Sequence, residues 1–277
     1  MSEKISLSKD VAQEEQPSQG QPQPGEIGYV PPTESVPLPS RGVVYPPESP
    51  LHGTELIDIR SMTARDEDIL TSRALLKQGK AIGTLLRSCI VNKSIDPDKM
   101  IIGDRNAALI AIRITGYGAE YPVTVDCPVC GEKTKHEFNL ADLEVKRLEV
   151  QPLRQGENVF AFVLPVSKKV VEFKLMTGED ERDVAVTLDR AKKLTSGAEA
   201  TVTTRLLHSI LSIGGERDRS KLAQIIKNLP ARDSRDLRTY IERISPGIDM
   251  TQAFTCKSCG EESEVEVPMG TEFFWPS

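Results

Sequence analysis

Apolar residues fall into short groups whose period changes along the chain, and each change marks an element. A strand is predicted around Leu56 to Arg60, followed by helices over 66–78 and 81–91 with Gly79 as the break between them. Asp104 is expected to cap a helix running through Ile114. Ala108, Leu109, Ile110, Ile112 and Ile114 leave that helix little polar surface, so it should be central and buried, with Gly116 and Gly118 ending it. Residues 121–126 and 134–140 alternate as the strands of a hairpin do, with Cys127 to Gly131 at the tip. Further strands are predicted over 148–153, 158–165 and 169–176, the last two joined through Pro165-Val166-Ser167-Lys168. Helices near 180–195, 199–213, 219–228 and 232–244 follow, and then a second cysteine hairpin over 252–267.

Landmarks recur along this series. Met62-Thr63-x-x-Asp66-Glu67 matches Met176-Thr177-x-x-Asp180-Glu181 at an offset of 114, and both read as helix starts in which a Thr and an Asp three residues on complement the new helix. Leu85-Leu86 matches Leu206-Leu207 at 121, while Asp104/Asp233, Gly118/Gly247 and the two Cys-x-x-Cys-Gly-Glu motifs match at 129. Chance would explain the Leu-Leu match alone, but the shared order, with 23 residues from Asp to the first Cys each time, points to an internal duplication. The expected fold is α+β, with a mostly helical body built from two duplicated helical units. Each unit should end in a Cys-x-x-Cys zinc-knuckle β-hairpin, beside a small central β region and a disordered N-terminal arm. The expected domains are a Pro/Gln-rich arm over 1–37, a first repeat unit over 38–147, and 148–277 with the central strands, the second unit and an aromatic tail.

Cys127-Pro128-Val129-Cys130-Gly131 and Cys256-Lys257-Ser258-Cys259-Gly260 each place two thiolates on one side of a tight turn, where both can reach a single ion. A structural zinc site needs four ligands, and the chain has four knuckle cysteines. One zinc per chain on Cys127, Cys130, Cys256 and Cys259 is the economical solution. Redox chemistry or paired disulfides are the alternatives, but a redox pair is expected at a helix N-terminus and these motifs lie between strands. Four thiolates close the metal's shell, so the ion should staple the fold rather than catalyse. Cys89 reads as a buried small hydrophobe. His52, His136 and His208 are weak ligand candidates. The acidic run Asp66-Glu67-Asp68 reads as a solvent-facing complement to a helix dipole.

Charge narrows the partners. Of the formal net charge of −6, residues 1–50 carry −4, because three basic residues stand there against seven acidic ones. Ten of the nineteen prolines lie in the same stretch, and Gln16 to Gly25 offers nothing to seed a core, so the segment reads as a solvated, disordered arm. The rest is nearly neutral with no long basic block, which disfavours nucleic acid. No signal sequence and no long apolar run is read, so the expectation is a soluble protein in the cytosol of its producing cell, without membrane contact. Nucleotide, hydrolase and metalloprotease motifs are missing from the sequence, and no enzyme is expected.

Leu38-Pro39-Ser40-Arg41-Gly42, Tyr45-Pro46, the helix start from Met62 to Leu70, Gly103-Asp104-Arg105-Asn106, Arg113-Ile114-x-x-Tyr117-Gly118-x-x-Tyr121 and Cys127-Pro128-x-Cys130-Gly131 resemble the baseplate protein family of T-even-like contractile-tailed phages. So does Phe273-Phe274-Trp275-Pro276. The resemblance is dense from about 38 to 140. It implies a component or assembly factor of the tail baseplate hub, with other baseplate and hub proteins as partners. Its place would be the virion tail baseplate, or the host cytoplasm during assembly. The competing reading is a zinc ribbon that binds nucleic acid. Glu132, Glu261, Glu262, Glu264 and Glu266 outweigh Lys133, Lys135 and Lys257 near the knuckles and speak against it. The aromatic tail is expected to dock either on a partner or on its own domain.

Overall fold

The computed structural model describes residues 30–194, 200–268 and 271–274. Most of the expected arm, residues 1–29, lies outside the described residues. Its last part is not disordered: Thr33–Pro37 forms strand β1, antiparallel to β2 (Leu56–Arg60), with buried Val36 opposite buried Ile57. An apolar side chain with a place in the core outweighs the local proline content.

The expected helix over 66–78 is two helices, α1 (Ala64–Thr71) and α2 (Arg73–Lys77), because Ser72 takes an extended conformation at ψ 106°. α3 (Ala81–Cys89) then leads through a loop to α4 (Ile102–Tyr117), the centre of the molecule. Ala107, Ala108, Ile110, Ala111 and Ile112 are buried on this helix. Asp104 is not its cap. The helix starts two residues earlier behind Ile101, Gly116 lies inside it, and Gly118 at φ 86° ends it. Gly103 has a packing reason: a Cβ there would stand 1.9 Å from the Pro246 carbonyl oxygen, so only glycine lets α4 pass this close to the chain entering β9 (Gly247–Asp249).

β3 (Glu120–Asp126) and β4 (Lys133–Asn139) form the first cysteine hairpin. β5 (Glu144–Lys146) pairs antiparallel with β9. No strand covers 148–153, where Pro152 can donate no ladder bond. β6 (Phe160–Val163), β7 (Val170–Phe173) and β8 (Ile210–Ile213) form an antiparallel sheet in that order. α5 (Gly178–Leu194) and α6 (Thr201–Ser209) come between β7 and β8. The helix expected over 199–213 stops at Ser209 because Ile210 to Ile213, with isoleucines at both ends, joins β7 instead. α7 (Arg219–Lys227) starts on the Asp218 carboxylate, which accepts the N–H groups of Ser220 and Lys221. α8 (Ala231–Ile244) and the second cysteine hairpin, β10 (Thr251–Thr255) with β11 (Glu262–Glu266), complete the order.

The fold is α+β, but the expected mostly helical body of two duplicated helical units is not what forms. Among the described residues, eight α-helices alternate with five small antiparallel sheets spread along the chain. The stretches that share landmarks differ in role. α4 is buried along ten residues, whereas amphipathic α8 buries only Asp233, Leu237 and Ile244. β5 pairs with β9 across the proposed boundary, and one apolar core runs from Val36 to Phe274. The landmarks encode local geometry, a helix start or a knuckle turn. Long-range burial decides the architecture, and a six-residue motif does not report it.

Candidate metal centre

Each cysteine pair sits in a turn built by the same backbone bonds. In the first hairpin the Cys127 N–H donates to the Glu132 carbonyl at 3.0 Å and the Gly131 N–H to the Cys127 carbonyl at 2.9 Å. In the second, Cys256 and Gly260 repeat both bonds, to Glu261 and Cys256, at 3.0 and 2.9 Å. Gly131 and Gly260 hold φ at 72° and 73°, a left-handed conformation that costs a residue with a Cβ. The first sulfur of each pair is buried and the second lies at the surface.

The hairpins bring all four predicted cysteines together. Cys127 Sγ stands 3.9 Å from Cys259 Sγ and Cys130 Sγ 3.8 Å from Cys256 Sγ, and the four sulfurs lie within 4.8 Å of one another. Four thiolates about 2.3 Å from one Zn²⁺ stand about 3.8 Å apart, so the cluster fits a tetrahedral thiolate site. None of the four cysteines is disulfide-bonded in this structure. Without a cation the sulfurs compete for charge. N–H groups of Cys259 and Ser258 favour the Cys256 thiolate and hold its pKa down to about 6. The Glu132 N–H favours a Cys130 thiolate too, but desolvation and the neighbouring sulfurs outweigh it, and that thiol is pushed up to about 12. A divalent ion held by Cys127, Cys130, Cys256 and Cys259 would stabilise all four thiolates at once.

Sequence reasoning missed two supports. Thr134, inward-facing opposite Val125, sets its hydroxyl 3.8 Å from Cys256 Sγ. His136 is no ligand; its ring lies 4.5 Å from Phe138 and 5.3 Å from Phe254, packing the two hairpins together. The strand alternation around the knuckle was the available signal for both. His52 instead contacts the Tyr45 carbonyl at 2.6 Å. Cys89 is buried on α3, where desolvation pushes its thiol up to about 12, so it is a poor nucleophile.

The acidic helix starts have structural work. Asp66 does not face solvent: it is buried, paired with Arg60 at 2.8 Å and bonded by Ser88 and by the Thr63 N–H and hydroxyl. Burial pushes its carboxyl up, but these partners together hold it far below the usual range. Glu67 and Asp68 are exposed as expected. Asp180 mirrors the arrangement with Lys174 at 2.7 Å and Thr177. Asp104, fully buried, accepts the Ser40 N–H at 2.8 Å, the Tyr45 hydroxyl at 2.6 Å and the Ser40 hydroxyl. The Pro-rich segment is thereby locked to α4. The tail closes on its own domain: Phe273 and Phe274 are buried, the Phe273 ring is 5.5 Å from Tyr121, and buried Arg113 donates from Nε to the Phe273 carbonyl at 2.6 Å. Trp275 lies outside the described residues.

Residues 48–275 match the family described as T4 bacteriophage base plate protein. No curated protein and no solved structure matches the chain.

Proposed function

The chain belongs to the T4 bacteriophage base plate protein family, and from that premise we propose that it is a non-enzymatic component or assembly factor of the baseplate hub, closed by one structural zinc ion. Family membership supports work at the tail baseplate among other baseplate proteins. The observation that carries the metal reading is the convergence of Cys127, Cys130, Cys256 and Cys259 from hairpins more than a hundred residues apart in sequence. An all-thiolate tetrahedral shell leaves no position for water or substrate, which supports a staple and argues against catalysis. No helix among the described residues is long and apolar enough to cross a membrane.

Nucleic acid is the weaker reading. Glu262, Glu264 and Glu266 are exposed on one face of β11 and would repel a phosphate backbone. Steeply salt-dependent binding to DNA or RNA at physiological ionic strength would reverse this preference. Elemental analysis of the purified chain should find about one zinc per chain; two, or none with four free thiols, would reject the shared site. Proteomics of intact tails separates the two baseplate roles. Presence in finished particles means a component, and absence combined with loss of baseplates in a deletion mutant means an assembly factor.

A further inference from the structure

Between the α2–α3 turn and α5, from Gly178 to Arg190, lies a cleft of about 550 Å³, reached from α4 by Arg105. Arg105 is only 8 % exposed, yet its Nε has no hydrogen-bond partner and no ion pair among the described residues engages its guanidinium. Desolvation pushes its pKa below the ordinary arginine value. Asp98 acts on Arg105 without a close ion pair, and its Oδ2 pairs with Arg182 at 2.9 Å and contacts Arg87 at 3.6 Å. Gly178 makes room for this arrangement, since a Cβ there would stand 2.5 Å from Arg105 Nη1. Asp98 and Glu181 oppose that desolvation from a distance without overcoming it; a buried cation without a close ion pair costs the fold, and an apolar side chain of equal length would pack the same space without that cost.

We infer that the cleft is a docking site for another baseplate protein, which inserts an aspartate or glutamate side chain against Arg105 and an adjacent apolar residue against the rim. The planar guanidinium presents paired donors in the spacing of a carboxylate. Leu76 and Val186 are 55 % and 40 % exposed at the rim with Ile82 beside them, apolar surface that a small inorganic anion would leave wet. Asp98, Glu181 and Asp189 line the cleft against Lys77, Arg182 and Arg190, so the desolvated Arg105 is the one charge in excess, which a single carboxylate balances and a multiply charged phosphate overshoots.

The inference rests on the baseplate reading, and co-expression of the full chain with each other baseplate protein of the same virus separates the two. At least one should bind the wild-type chain and slow hydrogen exchange over residues 76–82 and 181–190. Arg105→Met should weaken that complex tenfold or more while the free protein melts at the wild-type temperature or above. Leu76→Ser, at an exposed site, should weaken it several-fold with no change in melting. A complex indifferent to both variants, a lower melting temperature for Arg105→Met, or exchange protection elsewhere overturns the inference and leaves the baseplate reading standing. Millimolar inorganic phosphate shifting the Arg105 Nε–H resonance of the free protein, as the partner does, would make this a small-anion site and also overturn it. If no baseplate protein binds the wild-type chain, both readings fall.

Discussion

The four-sulfur cluster and the Asp104 lock solve the same problem with opposite chemistry. Each ties together segments far apart in sequence, 132 residues for Cys127 and Cys259 and 64 for Ser40 and Asp104. At Asp104 an acceptor meets three donors, so the site is complete from the chain's own groups. At the knuckles four like groups converge, and the surrounding N–H groups favour charge on sulfurs that repel one another once ionised. Complementary groups make a lock; four converging thiols make a cluster of the kind that suits a metal ion.

The sharpest way to break this comparison is to disrupt the cluster. Chelation, or Cys127→Ser or Cys256→Ser, should lower Tm by roughly 10 °C or more, since a structural zinc's binding energy becomes folding energy. Unchanged calorimetric scans would end the staple idea. Asp104→Ala comes next: it strands one N–H and two hydroxyls in the core and should cost about 3–5 kcal/mol in urea unfolding, zinc retained. Asp233 provides an intermediate case. From the first turn of α8, buried Asp233 accepts the Val166 and Ser167 N–H groups at 2.7 and 3.0 Å, in a turn where Val166 is exposed. Asp233→Ala should therefore cost only about 1–2 kcal/mol by the same measurement.

The smallest effect is a difference in sign. Burial raises the folded pKa of Asp104, despite the opposing bonds from Ser40 and Tyr45. Its contribution to stability is thus full below the unfolded carboxyl value of about 4 and is withdrawn as pH rises through the folded value. Burial also pushes Asp233 up, but the Val166 and Ser167 N–H groups outweigh it and its folded pKa is lowered. That contribution is present above about 4 and is lost as pH falls through the folded value. Each variant compared with wild type at the same pH, Asp104→Asn should cost less at pH 7 than at pH 4, and Asp233→Asn more. Slopes of the same sign would show that the donors around the two carboxylates do not differ as described.

The four-cysteine cluster was legible because spacing and turn chemistry are local: two cysteines, two intervening residues and a glycine specify a knuckle by themselves. The burial of α4 was legible for a similar reason, since a helix apolar on every side has no solvent face. What escaped depended on distance. Nothing near Asp104 in sequence announces Ser40 and Tyr45, so its carboxylate read as a cap. Asp66 read as a solvent-facing charge because Ser88, one of its partners, lies 22 residues away. Repeated landmarks were over-read for the same reason, as a repeated local geometry is weaker than a repeated fold.

The bond from Arg113 to the Phe273 carbonyl also has a temporal side. Its partners are 160 residues apart, and a ribosome adding about 5–20 residues per second needs roughly 10–30 s to cross that span. Throughout that interval the Arg113 Nη groups have their acceptors at Gly118 and Glu120, while its Nε–H lacks one and the aromatic seat beside Tyr121 is empty. Completion of the core is thereby timed by synthesis, and a stalled chain would present that unfinished surface to whatever binds exposed apolar segments in the cell.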